Sequence, residues 1–287
     1  PSVATVENGV VTGLTSGIVT VTATDRQGHS ASCKITVLEK EREFWAFDDT
    51  NSQWMQFNPE TGSTIQTVAD SSEDKIAAAA YVNGILYAYS DTGAFYTIDT
   101  EHGFSRSEAM TGVTGQNLYG FPMEMTDLSY DASTGKLYGL AYGYTMDDWD
   151  FDGIPDEKWD ICWAIGEIDL TNGAFKTIHI TEEYAPGNLL VENGYAYFID
   201  TYVSGIVTRV DLNSGSTKQL ALIQGYWGMR ADGRSMFRDD LTGKVYVIRG
   251  TGSEYDAQLN STLYTLQLST GAVREVCDFG SINVNSM

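Results

Sequence analysis

The stretch IGEIDLTNGAFKTIHI, residues 165–180, contains a unit that recurs along most of the chain. In each copy an apolar residue ends a strand, an Asp, Asn or Gln follows, and a Gly closes the turn after three more residues. The copies are Phe57-Asn58 to Gly62, Ile98-Asp99 to Gly103, Ile168-Asp169 to Gly173, Val210-Asp211 to Gly215 and Leu266-Gln267 to Gly271. A unit that repeats in this way predicts an array of similar supersecondary structures.

A second pattern lies earlier in four of the units, where a Tyr follows a turn Gly: Gly84/Tyr87, Gly135/Tyr138, Gly194/Tyr197 and Gly243/Tyr246. Four strands in roughly 40 to 50 residues are typical of a β-propeller blade. In the third unit the patterns predict strands at residues 125–130, 136–142, 162–170 and 175–180. The first unit has no innermost strand, and the tail Gly280 to Met287 is long enough to supply it. We therefore predict an all-β fold with a five-bladed propeller over residues 44–287, closed by the C-terminal strand. A six-bladed propeller is the alternative.

Residues 1–38 alternate apolar and polar side chains, as in Ile18-Val19-Thr20-Val21-Thr22, with glycines at the predicted turns. This segment resembles the second half of a bacterial Ig-like domain of group 2. The resemblance implies a partial Ig-like sandwich, further Ig-like domains of a parent chain as neighbours, and a location outside the cell, on a bacterial surface or secreted. The charged residues 39–43 then form a connector.

The composition excludes some classes of partner. The formal net charge is −22, from 39 acidic and 17 basic residues, so nucleic acid and anionic membrane surfaces are repelled. No apolar run approaches the ~18 residues of a membrane helix, and we expect no membrane insertion. Cys33, Cys162 and Cys277 lie in separate segments without metal-ligand spacing, and we expect buried free thiols.

The predicted turns of the propeller divide its two faces. One face carries short Gly turns, whereas the opposite face carries longer connections, including residues 143–160 and 224–230. Binding residues concentrate in loops on a rigid scaffold, so the long loops predict the ligand site. Aromatic rings in or beside these loops suit stacking on sugars or anchoring a protein. The predicted ligand-binding residues are Tyr142, Tyr144, Tyr202, Tyr226, Trp227 and Arg230.

The longest predicted loop contains DWDFDGIPDE, residues 148–157. Carboxylates at alternate positions converge when a chain wraps around an ion, and the Gly permits a sharp turn. The loop resembles those of thrombospondin type 3 repeats, dockerins and EF-hands. The resemblance implies calcium, but the twelfth position holds Trp159 instead of an acid, so either Asp160 or Glu157 would have to substitute. The predicted calcium ligands are Asp148, Asp150, Asp152, the Ile154 carbonyl, Asp156 and Asp160.

No catalytic residues are predicted. The expected inner strands supply Asp127, Glu192 and Asp239, and we expect these acids to form salt bridges or cap turns. The leading hypothesis is a non-catalytic extracellular binding module for a glycan or protein, with calcium bracing its loops. The alternatives are a polysaccharide-acting hydrolase or lyase, since five-bladed propellers include such enzymes, and a purely structural adhesin segment.

Overall fold

The computed structural model describes residues 3–37, 43–110, 124–147, 157–181, 186–200, 205–223, 233–239, 242–251, 260–280, 282 and 284–286. The chain divides into two compact units, Pro1–Glu43 and Phe44–Met287. The described residues form strands and no helix, and so contain no helix that could cross a membrane.

The first unit contains two antiparallel hairpins, built from β1 (Ala4–Glu7), β2 (Val10–Gly13), β3 (Gly17–Thr24) and β4 (Ser30–Val37). Val19 pairs with Ile35 on one face of the second hairpin, and both are half-buried. Thr22 and Ser32 pair on the other face and share a hydrogen bond of 2.8 Å. None of the described residues of this unit is fully buried. The Ig-like resemblance stays a prediction.

The second unit is a five-bladed β-propeller, as predicted. Its strands are β5 (Phe44–Asp48), β6 (Gln53–Phe57), β7 (Thr64–Ala69), β8 (Ile76–Val82), β9 (Ile85–Ser90), β10 (Phe95–Asp99), β11 (Ser105–Arg106), β12 (Glu124–Asp131), β13 (Lys136–Asp147), β14 (Glu157–Ile168), β15 (Phe175–Thr181), β16 (Leu190–Glu192), β17 (Tyr195–Ile199), β18 (Ile206–Asp211), β19 (Thr217–Leu222), β20 (Gly233–Arg238), β21 (Val245–Thr251), β22 (Asn260–Gln267), β23 (Ala272–Asp278) and β24 (Val284–Ser286).

Each blade is a four-stranded antiparallel sheet whose strands we name A to D from the axis outward. Blade 1 has the order β24-β5-β6-β7, so the chain's last strand is its A strand. Blades 2 to 5 follow in chain order as β8–β11, β12–β15, β16–β19 and β20–β23. Val284 of β24 pairs with Asp48 of β5, and this pairing closes the ring. Closure therefore gives blade 1 the inner strand that residues 44–69 lack.

The core consists of apolar layers between neighbouring blades. Alternate side chains of a strand point to opposite faces of its sheet. Tyr138 and Leu140 of β13 accordingly pack against blade 4, whereas Leu137 and Ala141 pack against blade 2. Each core cluster in the described part of the chain joins two adjacent blades in this way. The strand periodicity read from the sequence therefore builds the contacts that hold the ring together.

Polar side chains add hydrogen bonds between the inner strands of blades 3 and 4. Alternate residues of β12 accept bonds from backbone N–H groups in and beside β16. These bonds run from Leu189 N to Asp127 Oδ2 at 2.7 Å, from Val191 N to Ser129 Oγ at 2.8 Å, and from Gly194 N to Asp131 Oδ2 at 3.0 Å. They satisfy the buried N–H groups of Leu189 and Val191 and the half-buried N–H group of Gly194.

The Gly of the repeat also has a packing role. Gly271, in the C–D turn of blade 5, has φ of +68°. An added Cβ there would lie 2.1 Å from the carbonyl oxygen of Leu222, on the D strand of blade 4. The turn therefore needs a residue that adopts positive φ and has no side chain.

One prediction about the cysteines is wrong. None of the three cysteines forms a disulfide, and Cys162 is buried, but Cys33 is exposed. Its strand β4 lies in the unit that has no fully buried described residue, so nothing described covers it. Cys277 is half-buried, and burial raises the pKa of its thiol to about 11.

Candidate functional site

The connections of each blade define two faces of the propeller. The turn face carries the A–B and C–D turns, and the loop face carries the B–C and D–A connections. Most of the predicted site residues lie outside the described residues. These are Asp148, Asp150, Asp152, Ile154 and Asp156 of the calcium site, and Tyr202, Tyr226, Trp227 and Arg230 of the ligand site. Only the backbone is described at Tyr144, in β13, and at Asp160, in β14.

The B–C hairpin of blade 3 extends beyond the described parts of the A and D strands of its sheet. The A strand pairs with β13 only as far as Tyr142, and the D strand pairs with β14 only as far as Trp163. Within the part of the chain that the structure describes, β13 and β14 pair beyond these residues only with each other, to Asp147 and Glu157. Five further residues of β13 at ~3.3 Å each make this two-stranded ribbon about 16 Å long.

The ribbon corrects the predicted loop. Residues 143–160 were expected to be an irregular connection, but residues 143–147 and 157–160 belong to strands. Their backbone groups pair with each other across the β13–β14 ladder. Asp147 and Glu157 are Cα partners at the end of the described ladder, and residues 148–156 between them lie outside the described residues.

A row of polar and aromatic side chains crosses blade 3 where the ribbon begins. Glu124 pairs with Tyr142, Tyr142 with Trp163, and Trp163 with Thr181, one residue from each strand A to D. Directly paired residues lie on one face of a sheet, so the register brings these four side chains together. We name Glu124, Tyr142 and Trp163 the blade 3 row.

The blade 3 row has defined geometry. The Tyr142 and Trp163 rings lie 5.6 Å apart between centroids, tilted by 45°. The Tyr142 hydroxyl donates a hydrogen bond to Oε2 of Glu124. Glu124 is exposed, and both aromatic residues are partly exposed. Trp163 also packs against the apolar layer between blades 3 and 4, which fixes its position.

Sequence reasoning identified one member of this row and missed two. Tyr142 was predicted because it precedes a long loop. Trp163 and Glu124 lie in neighbouring strands, and only the strand register places them beside Tyr142. The available signal was the alternation within residues 162–170, which puts Trp163 and Ile165 on one face.

The three acids expected near the axis all have partners. Asp127 is fully buried and accepts hydrogen bonds from Leu128 N at 2.9 Å and from Ser235 Oγ of blade 5 at 3.4 Å. Burial raises the pKa of Asp127 well above its ordinary value, although the backbone N–H groups around it oppose the shift. Glu192 forms an ion pair with Arg238, and Asp239 accepts a hydrogen bond from Thr242.

A buried Arg holds the described D–A connection between blades 1 and 2 on the loop face. Arg106 Nη2 lies 2.9 Å from Asp70 Oδ2, and Arg106 Nη1 lies 2.9 Å from Asp74 Oδ1. The Arg106 side chain is 8% exposed. A desolvated, doubly paired guanidinium of this kind is strongly coupled to its carboxylates. It accounts for two of the acids on this face without a bound cation.

No cluster of three or more His, Cys, Asp or Glu that could hold a metal occurs among the described residues. The predicted calcium ligands lie almost wholly outside that part of the chain. The calcium site therefore stays a prediction.

No protein-family model matches the chain, and no curated protein matches its sequence. Solved structures with similar arrangements include a protein of unknown function from Bacteroides thetaiotaomicron, at 10% identity and a TM-score of 0.44, with 87% of this chain and 54% of that chain covered. An oligogalacturonate lyase in complex with manganese is similar at 10% identity and a TM-score of 0.41, covering 92% and 74%.

The major Malassezia sympodialis allergen Mala s 1 is similar at 9% identity and a TM-score of 0.45, covering 82% of this chain and 76% of that chain. The chain thus spans about half the length of the Bacteroides thetaiotaomicron protein. None of these similarities assigns a substrate, metal or partner to this chain.

Proposed function

We propose that the propeller is a non-catalytic, extracellular binding module that holds a glycan at the blade 3 row. The observation that supports this proposal is the row itself, in which two partly exposed aromatic rings lie beside an exposed carboxylate at the loop face. The row begins where the two-stranded ribbon leaves the blade, so a ligand there contacts both the blade and the ribbon.

The chemistry of the row suits a sugar. The apolar C–H face of a pyranose stacks on Tyr and Trp rings, which bury large area at little entropic cost. The Glu124 carboxylate accepts hydrogen bonds from neighbouring hydroxyls, and a bond to an ionised acceptor is stronger than one between neutral groups. The existing Tyr142–Glu124 hydrogen bond holds both groups in place before the ligand arrives.

Calcium is part of the proposal. Asp148, Asp150, Asp152 and Asp156 are among the nine residues of sequence between β13 and β14. Like charges this close repel unless a cation lies among them. Asp160 is three residues along β14 from the loop base at Glu157, or roughly 10 Å of extended strand. The register therefore favours Glu157 over Asp160 as the acid that completes the ligand set.

The extracellular bacterial location rests on the Ig-like resemblance of residues 1–38, and so does the expectation of further Ig-like domains in the parent chain. An acidic protein of net charge −22 also suits a module that must stay soluble and avoid nucleic acid. The partners of Asp127, Glu192 and Asp239 favour a binding module over an enzyme, because each of these acids already has a structural role.

A glycan array in calcium buffer, followed by isothermal titration of the best ligand, tests the proposal. Tyr142→Ala removes the stacking ring, and Glu124→Gln removes the acceptor charge. Each variant is expected to weaken binding at least tenfold, or about 1.4 kcal/mol. Tyr130→Ala is the matched control, because Tyr130 lies in the same blade toward its turn face.

Equal glycan affinity in the wild type and both site variants would refute the site, as would the absence of any glycan ligand for the folded protein. Release of shortened products from the bound glycan would refute the non-catalytic assignment instead and would favour the polysaccharide-acting enzyme.

A further inference from the structure

The carboxylate of the blade 3 row indicates the charge of the glycan that the row takes. This inference rests on the proposed function, because it concerns the ligand of the same site. Glu124 is exposed and is the first residue of β12, at the loop-face end of the inner strand. Its Oε2 accepts a hydrogen bond from the Tyr142 hydroxyl, which is a neutral donor. This bond positions the carboxylate and leaves its negative charge in place.

Glu124 differs in this respect from other acids of the propeller. Glu167, on β14 of the same blade, lies with its Oε2 2.7 Å from Nζ of Lys136. Glu192 of blade 4 forms an ion pair with Arg238. Glu124 forms no ion pair with any described side chain. A cationic group on a ligand is therefore the natural partner for its charge.

The charges around the blade 3 row have the same sign as Glu124. The Lys side chains that the structure describes in this blade belong to Lys136 and Lys176, near the starts of β13 and β15, and both positions are at the turn face. Residues 147–160, by contrast, contain seven acids and one Lys in sequence. The proposed calcium ion would offset only two of these charges. The field at the row therefore attracts cations and repels anions.

The two aromatic rings favour a cation as well. The face of a Trp or Tyr ring attracts a cation that lies within about 6 Å of its centroid. The centroids of Tyr142 and Trp163 are 5.6 Å apart, and the Tyr142 hydroxyl contacts Glu124. A sugar stacked on these rings can thus place one positively charged substituent beside a ring face and the carboxylate together.

We propose that the blade 3 row selects a glycan of amino sugars whose amines are free and protonated. The ammonium group donates a charge-assisted hydrogen bond to Glu124, and the apolar face of the sugar stacks on Tyr142 and Trp163. An N-acetylated sugar keeps the stacking but lacks the charge. A uronic acid places its own carboxylate near that of Glu124, and the two like charges repel.

Isothermal titration of the whole chain in calcium buffer compares the trisaccharides of glucosamine, N-acetylglucosamine and galacturonic acid. The buffer is mildly acidic, so that the sugar amines are protonated. Short ligands limit the general attraction between a polycation and a protein of net charge −22. The glucosamine trisaccharide is expected to bind at least tenfold more tightly than the N-acetylated one, and the galacturonic acid trisaccharide is expected to bind most weakly.

Two charge-removing variants test the role of Glu124. Glu124→Gln is expected to weaken binding of the glucosamine trisaccharide at least tenfold and to leave the affinity for the N-acetylated one unchanged. Glu167→Gln is the matched control, because it removes the same charge from the same blade at the turn-face end of β14. The control is expected to bind all three ligands as the wild type does.

Equal affinity for the glucosamine and N-acetylglucosamine ligands, or equal weakening by Glu124→Gln and Glu167→Gln, would overturn the preference for a cationic glycan. If Tyr142→Ala still weakened binding in that case, the glycan site would stand and only its ligand class would be wrong. Failure of the proposed function is a different result, in which Tyr142→Ala leaves every measured glycan affinity unchanged.

Discussion

The close approach of blades 4 and 5 at Gly271 predicts that this repeat glycine is more sensitive to substitution than an equivalent one in blade 2. Gly103 occupies the same place in its C–D turn and has φ of +76°, against +68° at Gly271. An added Cβ at Gly103 meets nothing within 4 Å, whereas at Gly271 it lies 2.1 Å from the Leu222 carbonyl oxygen. Comparing alanine variants at Gly103 and Gly271 therefore separates the cost of backbone strain, which both share, from the cost of the steric clash, which occurs only at Gly271.

The magnitudes follow from these two contributions. A non-glycine residue in the left-handed region costs about 1–2 kcal/mol, and this cost applies to both alanine variants. Forcing an extra methyl group against packed backbone costs about 1–3 kcal/mol more, and only at Gly271. Alanine also reduces the entropy of the unfolded chain, but equally at both positions. We expect Gly103→Ala to lose about 1–2 kcal/mol of unfolding free energy and Gly271→Ala to lose about 2–5 kcal/mol.

Urea denaturation followed by tryptophan fluorescence measures both losses, because the free energy falls linearly with denaturant and the midpoint shifts at constant slope. Wild type and both variants are compared as the whole chain. If Gly271→Ala loses no more unfolding free energy than Gly103→Ala, the close contact between the Gly271 turn and Leu222 does not exclude a side chain. That result would refute the packing role of the repeat Gly.

Other predictions concern charges in the described core and the calcium loop. Arg106→Gln leaves two carboxylates without their cation and should lose about 3–5 kcal/mol of unfolding free energy, whereas an equal result for Lys176→Gln would contradict a specific role. Burial lowers the pKa of His179, so the stability that its neutral form contributes should be lost as pH falls below about 6.5; His179→Gln should flatten that part of the stability profile, and an unchanged profile would refute the assignment. Burial raises the pKa of Asp127, so its effect on stability has the opposite pH dependence: the free energy of unfolding should fall as pH rises from about 4 through the pKa of the folded state. Asp127→Asn should remove this fall, which is measured from urea midpoints across pH. Calcium should raise the thermal midpoint by several degrees relative to chelator, and Asp150→Asn should reduce that shift, because only the folded loop binds the ion; no shift in the wild type would refute the calcium site.

The propeller was predictable because its information is local and repeated. The unit that ends at Gly173 marks the turn between two strands, and the four strands predicted for the third unit match β12–β15 in position. The absent inner strand of the first unit also followed from counting, since Phe44 begins with what is already a B strand. Repetition compensates for weak signals in any single blade.

The candidate site was less predictable because it depends on register. Tyr142 could be identified from its place before a loop, but its contacts with Glu124 and Trp163 require the pairing of three strands. The sequence predicts an irregular connection beyond Tyr142 because residues 143–160 contain six Asp and two Gly, which are frequent in long surface connections.

The ring closure also sets an order of events during synthesis. Val284 pairs with Asp48, so the first blade to leave the ribosome waits for nearly the whole of the second unit before its inner strand exists. Blades 2 to 5 each contain consecutive strands and can form as they emerge. The latest and most non-local pairing is therefore the one that completes the ring, which makes closure a slow step. The ring of blades therefore stays open until β24 itself has been synthesised.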